Sequence, residues 1–132
     1  MTANLLSLTS SWPAERHLAG MCTGAAAWTI AQRIDGPTLV VAPSTAVATQ
    51  LVEDIGFHLG TGHLVHRLPG DDVRPYEGLS PHPSVIRARI DATARLHRDE
   101  PCVVLTDPAG LSLRLLRKDA LDHLTLSLRE GE

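Results

Sequence analysis

The segment Gly20–Ala27 has the spacing of a phosphate-binding loop but lacks the residues that would do its chemistry. The frame G-x-x-x-x-G-K-[ST] places Ala25, Ala26 and Ala27 at the second glycine, the lysine and the Ser/Thr. In a working loop the lysine neutralises the β- and γ-phosphates, and the hydroxyl binds magnesium. A methyl group does neither, so the sequence predicts a vestigial phosphate loop with no cofactor and no catalytic residue. Its members are Gly20, Thr23, Gly24, Ala25, Ala26 and Ala27.

Two interpretations of this segment stay open. The favoured one is a tight turn into a helix, where small residues let the helix pack on a sheet. The alternative is residual phosphate binding through backbone N–H groups at the helix N-terminus. Without the lysine and the hydroxyl, that binding would lack its charge complement.

Six other residues have types that could bind a metal or act as a nucleophile: His58, His63, His66, Asp71, Asp72 and Cys22. A metal site needs ligands on one face, whereas His63 and His66 are separated by an odd number along a strand and should point to opposite faces. The two aspartates are expected to be solvated in a Gly/Pro-rich loop. Cys22 has no base close in sequence and is interpreted as a packing residue. The sequence therefore predicts no metal site.

Arginines are concentrated around residues 83–98, which have a helical pattern. Arg87 and Arg98 are eleven residues apart, or three turns, so they share a face, and Arg95 lies near it. A solvated face is the favoured interpretation of these three residues. A surface for DNA phosphates, or for an acidic partner domain, is the alternative.

The start of this helix carries two further predictions. His82 comes directly before Pro83, and its ring could cap the helix. Arg89 points away from the other arginines by helical spacing. It is predicted to form an internal pair with Glu77 or Asp91.

Composition excludes several classes of function. The chain has 132 residues and a formal net charge of −3, which argues against an autonomous nucleic-acid binder. Its aromatic content of 3% is too low for a stacking platform along single strands. Two distant cysteines without a C-x-x-C pattern favour a reducing compartment. No apolar run approaches the roughly 18 residues of a membrane span, so a cytoplasmic protein with no membrane partner is expected.

Apolar periodicity predicts alternating strands and helices. Short β-rich runs indicate buried strands, and stripes with i, i+4 spacing indicate helices. The predicted elements are helix 25–35, strand 38–42, a helix from Ser44 or Thr45 to Leu59, strand 64–68, helix 83–97, strand 102–105, helix 108–116 and strand 123–128. This order predicts an α/β fold with a mostly parallel sheet flanked by helices.

Caps and inward stripes complete this prediction. Gly60 should end the second helix, and Asp107 should cap the helix that begins at Pro108. The residues expected to face the sheet are Val47, Leu51, Ile55 and Leu59 on one helix, and Val85, Ile86, Ile90 and Ala94 on another.

Two regions are predicted along the chain. Residues 1–16 form an N-terminal arm or short helix, and residues 17–132 form the α/β domain. A strand signal immediately before the last residues suggests the first part of a larger multidomain protein.

Three segments resemble the N-terminal part of bacterial transcription-repair coupling factors (Mfd), and more distantly the first domain of UvrB excision-repair proteins. They are the loop segment Leu18–Ala31, the strand-Ala-Pro-helix unit Pro37–Leu51, and Leu68–Leu96. The third segment is the most specific, since it is similar to the coupling-factor pattern L-P-Y-[DE]-x-x-S-P-H followed by I-x-x-R-L. Its motif residues are Pro75, Tyr76, Glu77, Ser80, Pro81, His82 and Arg89.

The details of the third segment favour the coupling factors over UvrB. UvrB-like chains keep a working Gly-Lys-Thr and insert a long tyrosine-rich hairpin, whereas the link from Leu68 to Val85 is short and has one tyrosine. Two departures from the coupling-factor pattern concern the same loop. Arg74 stands where the family often has Leu, and residues 69–72 replace a more aromatic run.

The resemblance implies a degenerate helicase-like lobe, related to the first domain of UvrB, with no catalysis of its own. In the family, the module that contacts UvrA follows this region. UvrA is therefore expected as a partner mainly through that following domain, beside the other domains of the same protein. RNA polymerase and DNA would be reached only by the full-length protein, an ATP-dependent DNA translocase. The implied role is to support UvrA recruitment and autoinhibition in transcription-coupled nucleotide-excision repair.

Two alternatives belong to other classes of function. One is a UvrB- or helicase-type lobe that uses ATP directly, against which Ala26, Ala27 and the lack of an acidic magnesium motif weigh. The other is a small stand-alone α/β partner or regulatory protein. A reading frame that continues after Glu132 would separate a module from a stand-alone protein.

Overall fold

The structure is a computed structural model that describes residues 17–60, 64–73, 77–98 and 100–124. In these ranges helices and strands alternate, which confirms the predicted α/β fold. The elements are α1 (Thr23–Ala31), β1 (Pro37–Val41), α2 (Thr45–Leu59), β2 (Val65–Leu68), α3 (Pro83–His97), β3 (Cys102–Thr106), α4 (Pro108–Ser112) and α5 (Lys118–Leu124). No helix of these ranges combines the length and apolar character needed to cross a bilayer. The predicted arm 1–16 lies outside the described residues.

The three strands form one parallel sheet in the order β1-β3-β2. All five residues of the central strand β3 are buried, as expected for a strand covered on both faces. Pro37 pairs with Cys102 at one end, and Val41 and Leu68 both pair with Thr106 at the other. The carboxyl ends of all three strands therefore meet at one edge of the sheet, which we call the carboxyl edge.

Helix α2 covers one face of the sheet, and α1 packs chiefly against α2 and adds Ala27 to the same core. The Oγ of Ser44 caps α2 by accepting a hydrogen bond from the N–H of Val47 at 3.3 Å. Gly60 ends α2 with a left-handed φ of 66°, which glycine adopts without steric cost. Both caps confirm the sequence prediction. The predicted inward stripe is confirmed as well, since its members are buried or packed against the core. That core is Ala27, Ala42, Ala48, Leu51, Ile55, Val65, Val103 and Leu105.

Helix α3 covers the other face with a smaller core, which consists of Leu68, Ala92, Cys102 and Val104, with Leu96 packed against it. The prediction that Ile86 and Ile90 point inward is wrong, because their side chains are 43% and 45% exposed. The helix instead turns Ala92 and Thr93 toward the sheet.

The orientation of α3 has a physical reason on its sheet side. Arg89 and Thr93 lie one turn apart, and Thr93 Oγ1 donates to the carbonyl of Arg89 at 2.7 Å. Arg89 in turn donates to the carbonyls of Pro69, after β2, and of Gly110, in α4, at the carboxyl edge. Satisfying those carbonyls favours a polar stripe on the inner side of α3, and the isoleucines are left outside.

The C-terminal elements differ from the prediction in length and type. Asp107 caps α4, and Pro108 occupies its first turn, as predicted. However, α4 ends at Ser112 instead of Leu116. The strand predicted from His123 is also wrong at its start, because His123 belongs to α5, which buries Leu121. Residues 125–128 of that strand lie outside the described residues.

Candidate functional site

The phosphate-loop frame does not form an open loop. Helix α1 begins at Thr23, two residues earlier than predicted, and ends at Ala31 instead of Asp35. Residues 23–27 of the frame therefore lie within the helix, and only residues 20–22 precede it. Gly20 has a left-handed φ of 73°. Cys22 occupies the N-cap position, where its side chain makes no capping hydrogen bond.

The two alanines at the chemical positions of the frame are packing residues. Ala27, at the Ser/Thr position, is fully buried in the core shared with α2. Ala26, at the lysine position, is half-buried and packs against the same core. A hydroxyl at position 27 would be buried and would need a partner. The side chains at these positions thus join α1 to the core, which favours the interpretation as a packing turn.

A polar cluster lies at the carboxyl edge, where open α/β sheets commonly bind ligands. The Asp107 side chain is 3% exposed and accepts hydrogen bonds at both oxygens. Its Oδ2 accepts from the Thr45 hydroxyl at 2.7 Å and from Arg67 at 3.0 Å. Its Oδ1 accepts from the N–H of Gly110 at 2.9 Å. Arg67 also donates to the Thr45 carbonyl and to Thr49 Oγ1.

These contacts determine what the cluster can do chemically. The Thr45 hydroxyl, the Gly110 amide and the Arg67 guanidinium hold the pKa of Asp107 below its ordinary value, against the opposing effect of burial. The carboxylate is therefore ionised at neutral pH, and its oxygens are already engaged by these donors. The cluster consequently ties β2, β3 and the start of α2 together, rather than presenting an open carboxylate to a metal ion.

The sequence predicts Asp107 as a helix cap but does not predict its ion pair with Arg67. One signal was present, because Arg67 interrupts a predicted buried strand. A charged residue in such a strand needs a partner. The sequence alone does not identify that partner, which follows β3, forty residues later.

The loop motif is described only in part, because Pro75 and Tyr76 lie outside the described residues. Glu77 and Ser80 are exposed, and Pro81 is half-buried. Asp72 accepts from the backbone N–H of His82 at 3.1 Å, so this aspartate has a structural contact beyond its expected solvation. The ring of His82 accepts from the N–H of Ser84 at 3.3 Å, which confirms the predicted cap of α3.

Arg89 makes several hydrogen bonds to backbone carbonyls. Its guanidinium donates to the carbonyls of Pro69, Gly110 and Arg114, the last two at 3.4 and 3.3 Å. The predicted pair with Asp91 is wrong, since Asp91 contacts His66 at 2.9 Å. Pairing with Glu77 stays a prediction. Arg89 thus connects α3 to the segments that follow β2 and β3.

The predicted basic surface is only partly assembled. Arg87 and Arg98 are exposed and line the same depression, as their spacing predicted. Arg95 does not line that depression, and its Nε lies 3.8 Å from Asp91 on the preceding turn.

The remaining candidates do not converge. His66 contacts Asp91, whereas His58 is exposed and packs edge-on against Phe57. His63 lies outside the described residues. Among the described residues, no group of three His, Cys, Asp or Glu side chains is arranged to hold a metal ion. Cys22 is exposed, and Cys102 is buried, which raises the pKa of its thiol.

Comparison with known proteins gives one distant similarity that bears on this architecture. No known protein-family profile matches the chain. The chain is 29% identical to the transcription-repair-coupling factor of Escherichia coli (strain K12) over 122 residues. This match covers 89% of the chain and 10% of that protein, so the chain spans about a tenth of its relative's length. The similarity supports a relationship between the chain and that coupling factor.

Proposed function

We propose that residues 17–132 are a non-catalytic, degenerate helicase-like module of a transcription-repair coupling factor. The observation that carries this proposal is the similarity to the Escherichia coli factor, which extends over 89% of the chain. The α/β architecture, with α1 leading into a parallel sheet, fits such a lobe. Two motif residues add support, because His82 caps α3 and Arg89, within α3, anchors it to the carbonyl of Pro69.

The absence of catalysis is supported by how the candidate residues are used. Ala27 is buried in the core, and Ala26 packs against it, at the positions where a phosphate loop needs a hydroxyl and a lysine. The buried carboxylate of Asp107 is engaged by three donors. An ATP-using lobe would need a free lysine and an available carboxylate at these places.

The proposed role is architectural. The module would hold a neighbouring domain in position to recruit UvrA, and it would help keep the protein inhibited until RNA polymerase is engaged. RNA polymerase and DNA would be contacted by other domains of the longer protein. Transcription-coupled nucleotide-excision repair is the process this proposal implies.

Calorimetric titration with UvrA tests this role. The 132-residue chain is compared with a version extended by about one further domain of its natural reading frame. We expect binding by the extended version only, because the contact surface is proposed to lie in the following module. Binding by the short chain alone would place the interface within these residues and would contradict a purely supporting role. Failure of both versions would contradict the coupling-factor assignment.

A further inference from the structure

The side of α3 that faces away from the sheet carries two exposed apolar side chains. Ile86 and Ile90 project from it, and each is more than two-fifths exposed. They line a depression of about 220 Å³ on one side, whose other wall includes Leu115 and Leu116. They also line a wider depression of about 460 Å³ on the other side, beside Ala94. We call this surface the α3 outer face.

The margins of the α3 outer face are mainly basic. Arg87 and Arg98 border the wider depression, and Arg114 borders the smaller one. All three are exposed, and their side chains make no ion pair with any described residue. Two carboxylates also face these depressions. Asp91 is held by His66 and Arg95, and Asp71 lies at the margin of the smaller one.

We propose that the α3 outer face docks an acidic amphipathic helix of a partner protein. Exposed aliphatic side chains in a row along a helix suit the apolar stripe of a second helix, which presents residues at i, i+3, i+4 and i+7. The arginines at the margins, which make no ion pair with a described residue, complement carboxylates beside that stripe. A nucleic acid fits less well, because aliphatic side chains occupy the centre of the surface and offer no stacking platform for bases.

A displayed peptide library tests both features of the proposed ligand. Each peptide has about four helical turns, a fixed leucine stripe, and flanking positions randomised among Glu, Gln and Lys. Peptides retained by the intact chain are sequenced. We expect Glu to be enriched at the flanking positions, and we expect retention to fall about tenfold with the double variant Ile86→Asp/Ile90→Asp. Phe57→Asp is the matched control, because Phe57 is an 83% exposed apolar residue on another helix, and it should retain the same peptides.

Reversing the charge of the margin tests whether the arginines select the acidic flanking residues. With Arg87→Glu/Arg98→Glu, the preference should invert toward Lys at the flanking positions, since both substitutions are exposed and change the sign of the margin. An unbiased selection, or the same preference in the reversed variant, would overturn the proposal. Sedimentation of the chain alone tests for a second copy as the occupant. Self-association that is abolished by Ile86→Asp/Ile90→Asp would also overturn it, in favour of a dimer.

Discussion

The two faces of the sheet differ in which helix side chains are buried against them. On the α1–α2 face, the aliphatic side chains Leu51 and Ile55 face the sheet, and Ile55 is completely buried. On the α3 face, the buried helix positions are Ala92 and Thr93, with Leu96 partly buried, and Ile86 and Ile90 are exposed. The edge strand β1 continues this difference, because Leu39 and Val41 are about half exposed.

This difference suggests that one face of the sheet mainly stabilises the fold, whereas the helix on the other face keeps an apolar surface for another polypeptide. A helix whose largest apolar residues face the sheet obtains its stability from the hydrophobic effect. Helix α3 has a smaller apolar contact through Ala92 and Leu96, and Arg89 also holds it by donating to backbone carbonyls. Its apolar surface then remains available for another polypeptide. The α1–α2 face is accordingly expected to account for most of the folding free energy.

Matched isoleucine substitutions provide the largest expected contrast. Ile55→Ala should lower the free energy of unfolding by about 2–5 kcal/mol, because it leaves a cavity in a closed core. Ile90→Ala should change it by less than about 1 kcal/mol, since that side chain is 45% exposed. Urea denaturation followed by circular dichroism measures both. Equal losses would show that the two faces contribute alike and would remove the distinction.

The Asp107 cluster should give the next largest effect, and this effect should depend on pH. Asp107→Asn removes the ion pair with Arg67 and should cost about 1.5–3 kcal/mol at neutral pH. Because the folded-state pKa is lowered, the wild-type advantage is complete above the unfolded-state pKa of about 4 and is lost as the pH falls through the folded value. Urea titrations of both proteins at falling pH test this. A difference that does not change with pH would argue against an ionised cluster.

Two glycine substitutions should act in opposite directions. A Cβ at Gly110 would lie 2.5 Å from the Leu68 carbonyl oxygen and from Thr106 Oγ1, so Gly110→Ala should cost about 1–3 kcal/mol. Gly24 lies within α1 with open space around it, so Gly24→Ala should be neutral or stabilise by up to about 1 kcal/mol. Thermal melts of the two variants measure the difference. A stable Gly110→Ala variant would mean that α4 does not lie tightly against the end of β2.

The reaction rates of the two cysteine thiols indicate whether the small core between α3 and the sheet stays closed. Cys22 is exposed and should react rapidly with a thiol reagent at neutral pH. Cys102 is buried beneath α3, and burial raises its pKa, so its reaction should be much slower. The Cys22→Ser variant should lose the fast phase only. Fast reaction of both thiols would indicate that α3 opens readily from the sheet.

Sequence patterns predicted the α1–α2 face well, because there the apolar stripe and the core coincide. The spacing of Leu51 and Ile55, the cap at Ser44 and the glycine at the end of α2 all had the same structural meaning in sequence and in structure. The order of strands and helices up to α4 followed from the same periodicity.

The α3 face was predicted less well, because the strongest apolar stripe there does not face the core. The apolar spacing predicted that Ile86 and Ile90 face the sheet. In the structure Ala92 and Thr93 face it instead, and Arg89 donates to the carbonyls of Pro69 and Gly110 at the carboxyl edge. Likewise, the pairing of Arg67 with Asp107 depends on which strands are adjacent, which local patterns do not encode. The phosphate-loop frame showed which chemistry was missing, but not that Ala26 and Ala27 pack α1 against the core.

Calorimetric titration of the chain with magnesium ATP tests most directly whether Ala26 and Ala27 serve in packing and not in nucleotide binding. We expect no saturable heat of binding, because no lysine or hydroxyl stands at the positions of the frame that would bind the phosphates and the metal ion. Ala26→Lys is an informative companion, since it restores the missing charge at a half-buried position. Saturable binding at micromolar concentration by the unmodified chain would contradict the account and would favour a nucleotide-using lobe.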